Sequence, residues 1–467
     1  MKNYALLLLV LCLVVPHPSV AQLDEANRKL AGDIFKELIE INTTDSVGNV
    51  TTAAEAMARR LRDAGYPESD VRVLGPNDRK KNMVARLRGA GAKKPILLIG
   101  HLDVVEARRE DWTTDPFQFV EKDGYYYGRG TQDMKSDDAI LMVAMIRFKR
   151  EGYKPDRDII LALTADEEGG KSNGVDWLLK NHRELIEAEF VLNPDGGGIV
   201  TVNRKPLIMS MDGSEKLYAD YQLESTNPGG HSSHPVPDNA IYHLADALVR
   251  LQHYQFSFEL NDVTRAFFAQ TSKVETGQMA ADMNAVLKDP PDQAAIDRLS
   301  QDPTLNATMR TTCVATRLEA GHANNALPQR ATANVNCRIF PGHSKEEVRQ
   351  QLIKVLDDPK VTIRYVGNDS EGTLPPVPLR PDVMNPLQEI TSQMWPGTPV
   401  VPTMSTGATD GKYTNAAAMP TYGISGVAID LNDVRAHGKD ERLGVDSYYR
   451  GVDFYYRYLK AVTGGGR

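Results

Sequence analysis

The chain has 467 residues, more than one hydrophobic core usually covers, so two domains are expected. Hydrophobic residues make up 41% and charged residues 25% of the sequence, the ordinary balance of a globular protein. The formal net charge of -8 and the lack of a long basic run argue against a nucleic-acid partner or a membrane-surface patch.

The first 21 residues have the pattern of a secretory signal peptide. A charged start at Lys2 precedes an apolar run over residues 5–15, and small residues lead up to Ala21. The run is too short to span a bilayer, so stable membrane insertion is not expected. The alternative is an anchor helix that stays in place. We predict cleavage near Ala21 and an exported mature protein, either periplasmic or secreted.

Residues 22–213 alternate between helical and strand patterns. Helices are predicted over residues 23–41, 51–64, 135–151 and 172–182, and strands over 71–74, 82–87, 95–100, 158–164 and 188–192. This alternation is typical of an α/β layer with a largely parallel sheet flanked by helices. Ligands of such sheets bind beyond the carboxyl ends of the strands.

The pattern changes after residue 213. Residues 214–374 predict the order strand, helix, strand, strand, helix, strand, which indicates an α+β domain with an antiparallel sheet. A polar insertion at 256–310 is predicted to be helical. Beyond a proline-rich linker, residues 385–394, 422–429 and 447–462 predict a helix, a strand and a helix of the first layer. Residues 22–213 and 375–467 therefore form one predicted domain, and 214–374 form a second domain inserted into it.

Two cysteines remain after the predicted cleavage. Cys313 and Cys337 both lie in strand-like runs of the inserted domain. In an oxidising compartment they are compatible with a disulfide across neighbouring strands. Two separate buried thiols fit the sequence equally well, because pairing depends on geometry.

Charged residues are found where predicted strands end. His101 and Asp103 follow one strand, and their spacing puts both side chains on the same side of the chain. A carboxylate so placed can orient a metal-binding imidazole, although a surface histidine beside a carboxylate is the common alternative. Asp133 follows a glycine-rich turn, where a carboxylate can bridge two cations or act as a helix N-cap.

The adjacent residues Glu167 and Glu168 end the next strand. Side by side, one can bind a metal while the other acts as a base on a water molecule; the alternative is a solvated pair. Asp195 in a glycine-rich turn adds a further oxygen ligand, unless it serves the turn alone. With His437 as a second imidazole, the set predicts a zinc site, and Co²⁺ or Mn²⁺ would also fit.

Three of these motifs together resemble those of a known family. The dizinc aminoacylase/carboxypeptidase metallopeptidases, which include glutamate carboxypeptidase, carnosinase-type dipeptidases and carboxypeptidase S, have strings similar to His101-x-Asp103, Gly128-Arg-Gly-x-x-Asp133-Met-Lys and Asp166-Glu167-Glu168. The resemblance spans nearly the whole mature chain. It implies a zinc-exopeptidase type of α/β fold with an inserted lid and dimerisation domain.

The resemblance also implies a role for each residue of the site. Asp133 would bridge two Zn²⁺ ions, and the remaining ligands would be His101 and Asp195 at one metal and Glu168 and His437 at the other. Glu167 would be the general base. Asp103 would orient His101.

Residues of the inserted domain match further positions of the family. The resemblance implies that His231 stabilises the oxyanion, often across a dimer interface, and that Asn325 and Arg338 hold the substrate carboxylate. Donors of this kind suit a developing negative charge and a terminal carboxylate. His234 is an alternative to His231, and Arg338 could instead pair with a carboxylate of the inserted domain.

The sequence departs from the family pattern after His437, where Gly-Lys-Asp-Glu replaces the more frequent Asn before Glu. The insertion at 256–310 resembles the carboxypeptidase S branch. We expect an exported hydrolase that cleaves a peptide or N-acyl amino-acid bond beside a free carboxylate. The protein could form a homodimer. Alternatives are an N-acyl amino-acid deacylase whose acyl group is not an amino acid and an inactive exported metal- or solute-binding protein.

Overall fold

The computed structural model describes residues 23–367 and 373–464. The predicted signal peptide and its Cys12 lie outside the described residues. None of the described helices combines the length and the hydropathy needed to cross a membrane.

The first part of the chain alternates helices and strands, as predicted. Its elements are α1 (Glu25–Glu40), α2 (Val50–Asp63), β1 (Val71–Leu74), β2 (Asn82–Leu87), β3 (Ile96–His101), β4 (Val120–Lys122), β5 (Tyr125–Tyr127), α3 (Lys135–Arg150), β6 (Ile159–Thr164), α4 (Gly174–Asn181), α5 (Arg183–Ile186), β7 (Phe190–Asn193), β8 (Gly198–Val202) and β9 (Lys205–Glu215). The strands β8 and β9 form a hairpin after Asp195 that the sequence analysis did not predict.

The inserted domain has the predicted order of elements around a four-stranded antiparallel sheet, β12-β14-β10-β15. Its elements are β10 (Leu217–Thr226), β11 (Gly230–His231), α6 (Ala240–His253), α7 (Asp262–Thr271), α8 (Gly277–Ala285), α9 (Gln293–Leu299), α10 (Pro303–Thr308), β12 (Thr312–Ala320), β13 (Ala326–Leu327), β14 (Arg330–Ile339), α11 (Lys345–Leu356) and β15 (Val361–Val366). The insertion at 256–310 is helical and has a small core of its own around Phe268.

The chain then returns to the first layer. The elements are α12 (Pro381–Met394), β16 (Val400–Ser405), α13 (Gly411–Ala416), β17 (Thr421–Gly423), β18 (Ala428–Asp430), β19 (Arg442–Gly444) and α14 (Val445–Thr463). The single strand predicted over 422–429 is wrong, because β17 and β18 pair with different strands. Between them the Ser425 hydroxyl accepts a hydrogen bond from the backbone of Val427 and donates one to Asp137, which takes the chain away from β17.

The large sheet has the order β1-β2-β6-β3-β7-β17-β9-β8-β18, and β16 pairs with β9. The strands β6, β3, β7 and β17 run parallel to one another, and β18 runs parallel to β8. The pairs β1–β2, β2–β6, β8–β9 and β9–β17 are antiparallel. Helices α1, α2, α3, α12 and α14 pack against this sheet in the main hydrophobic core. The predicted fold class, a largely parallel sheet flanked by helices, is confirmed.

Helix α3 follows the loop that contains Asp133 and packs in this core. It begins at Lys135, two residues after Asp133, and is buried along nearly its whole length. The Lys135 ammonium at its start is buried and donates hydrogen bonds of 2.8 Å to the carbonyl oxygens of Leu38 and Ile41. Because the loop before α3 is fixed to α1 in this way, Asp133 has a rigid support.

A disulfide joins Cys313 to Cys337, which face each other on the paired strands β12 and β14. The bond closes a loop with a sequence separation of 24, so replacing both cysteines with alanine should lower the free energy of unfolding by about 3 kcal/mol. Urea unfolding followed by circular dichroism measures this loss. Reduced wild-type protein is the control and should resemble the variant. Equal stability of oxidised and reduced protein would contradict the prediction.

Candidate metal centre

Parallel strand ends place the candidate ligands together. His101 is the last residue of β3 and pairs in register with Thr164, the last residue of β6. Glu167 and Glu168 follow β6 within a few residues, and Asp195 follows β7 in the same way. The carboxyl ends of these neighbouring parallel strands lie on one edge of the sheet, where such folds bind their ligands.

The imidazole of His101 is buried and held on both sides. Its Nδ1 lies 3.0 Å from the carbonyl oxygen of Asp103, and its Nε2 lies 3.1 Å from Oδ1 of Asp133 and 3.8 Å from Oδ1 of Asp195. The carbonyl of Asp103, more than its carboxylate at 3.9 Å, therefore fixes the ring. With Nδ1 so engaged, Nε2 is the nitrogen available to a metal.

The carboxylate of Asp103 has a second role. Its two oxygens accept hydrogen bonds from the backbone N–H groups of Glu167 and Glu168, at 3.2 and 3.0 Å. One aspartate thus orients the histidine through its backbone and the two glutamates through its side chain. The sequence analysis had predicted only the contact with His101.

Asp133 lies between the two imidazoles. Its Oδ1 is 3.1 Å from Nε2 of His101, and its Oδ2 is 3.1 Å from Nε2 of His437. The N-cap residue of α3 is Met134, so Asp133 does not have the capping role considered above. Burial acts to raise the pKa of Asp133, but its hydrogen bonds with both imidazoles hold that pKa below the usual range.

The second imidazole lies beside Glu168. Nε2 of His437 is 3.0 Å from Oε1 and 2.9 Å from Oε2 of Glu168. The His437 side chain is about half exposed, with a side-chain relative accessibility of 54%, whereas His101 is buried. The open side of the centre is therefore the side of His437.

The glutamates and Asp195 are carboxylates in a largely buried setting. Burial raises the pKa of Glu167 to about 9 and that of Glu168 to about 7. Burial also raises the pKa of Asp195, opposed by its hydrogen bond with His101. Several buried carboxylates with raised pKa values are typical of a site that a cation completes.

The donor set fits a metal pair. Ligand atoms of His101, Glu167 and Asp195 lie within 4.8 Å of one another, as do those of His101, Asp133 and Glu168. Imidazole nitrogens and carboxylate oxygens are zinc ligands, and the oxygens of Asp133 face one imidazole each. Since Glu167 falls in one of these groups, its distance alone does not separate a ligand from a base.

Metal binding should release protons at neutral pH. The hydrogen bond with Asp133, followed by the charge of Glu168, raises the pKa of His437 to about 9. Only the deprotonated imidazole binds a metal, so zinc affinity should increase between about pH 6.5 and pH 9. In metal-free protein the raised pKa of His437 stabilises the fold below about pH 6.5, and this contribution is lost as the pH passes about 9.

Isothermal titration calorimetry in buffers of different ionisation enthalpy measures the protons released on zinc binding at each pH. A His437→Ala variant, which retains the other site, should release fewer protons at pH 7. Zinc affinity that does not change with pH would contradict the raised pKa of His437.

Glu441 is a residue of the centre that the sequence analysis did not select. It is fully buried, and its carboxylate accepts hydrogen bonds from the backbone N–H groups of Gly130, Gln132 and Asp133, at 2.6 to 3.2 Å. It also pairs with Arg129 at 2.6 Å. Glu441 therefore fixes the loop that carries the central carboxylate. The Glu after His437 was noticed only as part of the family pattern.

Arg129 and Gln132 connect that loop to the one that carries His437. Arg129 donates hydrogen bonds to the carbonyls of His437 and Gly438, at 3.4 and 2.9 Å. The side-chain amide of Gln132 makes four hydrogen bonds with backbone groups of residues 433–442. His437 itself has a left-handed backbone, with φ of 63°. No hydrophobic pattern could have predicted this connection.

The loop with the two glutamates has its own supports. Asp166 also has a left-handed backbone, with φ of 60°, and its carboxylate pairs with the buried Lys80. Asn173 donates hydrogen bonds to the carbonyl of Asp166, at 3.2 Å, and to the Asp410 carboxylate, at 2.5 Å. The position of Glu167 is therefore set by groups on three separate segments.

Of the predicted residues of the inserted domain, His231 and Asn325 lie on adjoining segments of the chain. His231 and Asn325 are neighbours, because β11 pairs with β13 and the backbone of Ser232 donates a hydrogen bond to the carbonyl of Asn325. His231 is exposed, and Ser233 bonds its Nδ1 as well as Nδ1 of His234. Among the described contacts, none joins His231 or Asn325 to the metal ligands.

Arg338 lies between the two domains. It donates a hydrogen bond of 3.3 Å to the carbonyl of Thr406, which precedes Asp410 in the large domain, and its guanidinium stacks on Tyr218. The described ion pairs do not include a partner carboxylate for Arg338 in the inserted domain. Its position at the junction is compatible with the predicted role in substrate binding.

Known proteins are similar to this chain in sequence. The profile of the Peptidase family M20/M25/M40 matches residues 97–461. The probable carboxypeptidase S-like 2 of Dictyostelium discoideum is 33% identical over 380 residues, covering 79% of this chain and 71% of that protein. The N-fatty-acyl-amino acid synthase/hydrolase PM20D1 of Homo sapiens is 28% identical over 381 residues, covering 79% and 74%.

Solved structures also match the fold of this chain. The M20 family metallo-carboxypeptidase Sso-CP2 from Sulfolobus solfataricus matches with a TM-score of 0.66 at 18% identity, covering 94% of this chain and 99% of that one. Human carnosine dipeptidase 1 matches with a TM-score of 0.60 at 16% identity, covering 94% and 97%. The chain therefore belongs to the Peptidase family M20/M25/M40, and it is a metal-dependent peptidase or amidohydrolase.

Proposed function

We propose that this protein is an exported dizinc hydrolase that cleaves the amide bond of a small peptide or an N-acyl amino acid beside a free carboxylate. The observation that carries the proposal is the position of Asp133 between His101 and His437, with the neighbouring glutamates Glu167 and Glu168 held beside them. This arrangement offers ligands for two metals and leaves one carboxylate for proton transfer.

The ligands divide into two sets around Asp133. His101 and Asp195 would hold one zinc ion and Glu168 and His437 the other, with one oxygen of Asp133 for each. When bound, the two ions supply Lewis acidity, which lowers the pKa of water and polarises the scissile carbonyl. Co²⁺ or Mn²⁺ would fit the same nitrogen and oxygen donors.

Glu167 would be the general base. Its carboxylate takes a proton from the attacking water and later gives that proton to the nitrogen of the leaving amine. The hydrogen bond from its backbone N–H to Asp103 fixes where this carboxylate can reach.

The inserted domain, residues 214–374, would complete the substrate site. We assign His231 to stabilise the oxyanion and Asn325 with Arg338 to bind the substrate carboxylate. His231 is exposed and has no described contact with the metal ligands, so in this proposal closure of the domain or a second chain brings it to the metals. Strand β12 supports a homodimer, because it is a sheet edge with exposed Val314 and Leu318.

The dimer has a direct test. Val314→Glu places a charge on the exposed edge strand and should shift the mass measured by light scattering from two chains towards one. Leu207→Glu, which changes an exposed residue of the large domain, is the matched control. A wild-type protein that is monomeric at all concentrations would contradict the proposal.

Export is supported by the signal-like pattern of residues 1–21 and by the disulfide of the inserted domain, since disulfides persist in oxidising compartments. Within the hydrolases, the second candidate is an N-acyl amino-acid hydrolase whose acyl group is not an amino acid. The similarity to the N-fatty-acyl-amino acid synthase/hydrolase favours this candidate.

A substrate panel tests the function. Purified mature protein is treated with a chelator, reloaded with zinc or cobalt, and assayed on dipeptides and on N-acyl amino acids of increasing acyl length. Activity that is lost with the chelator and restored by metal is expected on one of the two classes. Metal-loaded protein that hydrolyses neither class would favour the binding-protein alternative.

A further inference from the structure

A small cavity with polar side chains in its wall lies next to the metal centre. It has a volume of about 20 Å³, enough for one water-sized species. Two carboxylates, four hydroxyls and two amides contribute to its wall: Asp212, Glu215, Ser214, Ser405, Thr409, Thr421, Asn193 and Asn415. None of these residues belongs to the two sets of zinc ligands.

Glu215, the last residue of β9, has the side chain that indicates a ligand in the cavity. It is 6% exposed, and its Oε2 accepts hydrogen bonds from the backbone N–H and the hydroxyl of Thr409, at 2.8 and 3.3 Å. Its Oε1 is buried and has no hydrogen-bond partner within residues 23–367 and 373–464. Buried polar atoms nearly always have a partner, so this oxygen indicates a ligand in the cavity.

Protonation alone would not satisfy Glu215. A proton on Oε1 would turn the atom into a donor that still lacks a partner among the described residues. The charges nearby are mainly negative, because the part-buried Asp212 lines the same cavity and Asp195 acts on both carboxylates. Lys412 opposes them, yet burial still raises the pKa of Glu215 to about 8. A bound positive charge would stabilise both carboxylates.

We propose that this cavity binds one hard cation through oxygen ligands, separately from the two metals of the catalytic centre. Na⁺, K⁺, Mg²⁺ and Ca²⁺ all prefer carboxylate, hydroxyl and amide oxygens, which are the groups of this wall. The charge comes from Glu215 and Asp212. The size of the cavity limits it to a single ion.

Hydrogen bonds connect the cavity wall to Asp195, one of the proposed zinc ligands. The Asn193 amide donates a hydrogen bond of 3.1 Å to the hydroxyl of Thr409, which is bonded to Glu215. The Asn193 side-chain oxygen accepts one of 3.2 Å from the backbone of Asp195. A cation here would therefore support the turn that carries Asp195.

Thermal unfolding of the zinc-loaded protein tests the proposal. Chlorides of Na⁺, K⁺, Mg²⁺ and Ca²⁺ are titrated against choline chloride at constant ionic strength. One of these cations should raise the Tm by about 2–4 °C in a saturable way, since a ligand stabilises the state that binds it. If none raises the Tm above choline chloride, the cavity holds water only and the proposal is wrong.

Two variants address the cavity by different means. Glu215→Gln removes the charge, and Gly411→Ala adds a methyl group that would lie 3.1 Å from Oε1 of Glu215 and 3.0 Å from the Thr409 hydroxyl. Both should abolish the cation response. Glu55→Gln, the same substitution at an exposed site, should keep it.

A cation response that persists in both cavity variants would overturn the assignment. If a variant does not fold, wild-type crystals soaked in rubidium or calcium chloride give the answer instead. Anomalous density beside Glu215 supports the site, and its absence with both salts overturns it. Neither readout depends on hydrolytic activity, so failure of the hydrolase proposal would leave this test unaffected.

Discussion

Glu167→Gln is expected to lower kcat by about 10²–10⁴-fold while both metal ions stay bound. The substitution keeps the size of the side chain and removes its ability to take a proton. The backbone N–H of Glu167 still donates to Asp103, so the loop should keep its position. Metal content by inductively coupled plasma mass spectrometry, measured with steady-state kinetics, checks both parts of the prediction.

Glu168→Gln is the matched control for this experiment. The adjacent glutamate contacts His437 at 2.9 Å and is assigned as a ligand, so its substitution should lower both the metal content and the activity. Glu167 also has a carboxylate oxygen within 4.8 Å of ligand atoms of His101 and Asp195. If Glu167→Gln loses a metal ion as readily as Glu168→Gln, then Glu167 is a ligand and the base must be sought elsewhere.

The sequence predicted the residues of the centre because of a rule of the fold. In a parallel sheet the residues that follow the strands meet at one edge, so His101, Glu168 and Asp195 could be grouped before any coordinates were known. His437 is different. It follows no predicted strand closely, and its left-handed backbone depends on contacts with Arg129. The need for a second imidazole made it a candidate, and the resemblance to a family assigned it to one of the two metals.

The supports of the centre could not be predicted in the same way. Lys80 reaches Asp166 from a segment 86 residues earlier in the chain, and Asn173 and Asp410 meet across 237 residues. Such pairs carry no local periodicity, and each side chain alone fits an ordinary surface or turn residue. The order of the strands was unpredictable for a similar reason, because β16 and β17 are short and pair with strands far away in the sequence.

The order of elements within residues 214–374 was predicted well because their pattern is local. Strands β10 and β14 alternate between buried and less buried residues, and that alternation is visible in the sequence. The disulfide was not decided by the sequence, since it required Cys313 to face Cys337 across β12 and β14. Register of this kind is set by the whole sheet.

Glu441→Gln is expected to weaken metal binding by about 10–100-fold and to lower activity at limiting metal. Glu441 is completely buried and is paired with Arg129, so its loss leaves an uncompensated charge in the interior. Breaking such a pair costs about 3–5 kcal/mol of folding free energy. The backbone of Asp133 also loses its charged acceptor, which should loosen the carboxylate between the imidazoles.

Zinc affinity by competition with a chromophoric chelator, together with urea unfolding of the metal-free protein, separates the two effects. Glu319→Gln is the matched control, because Glu319 pairs with Arg317 on the surface and both side chains are about 75% exposed. Exposed pairs contribute about 0–1 kcal/mol, so this control should change neither measurement appreciably. If Glu441→Gln lowers stability but leaves zinc affinity and kcat unchanged, Glu441 supports the fold without positioning Asp133. If zinc affinity falls as expected while excess zinc restores most of kcat, the buried pair acts on the metal ligands, and the loop after His437 is part of the catalytic apparatus.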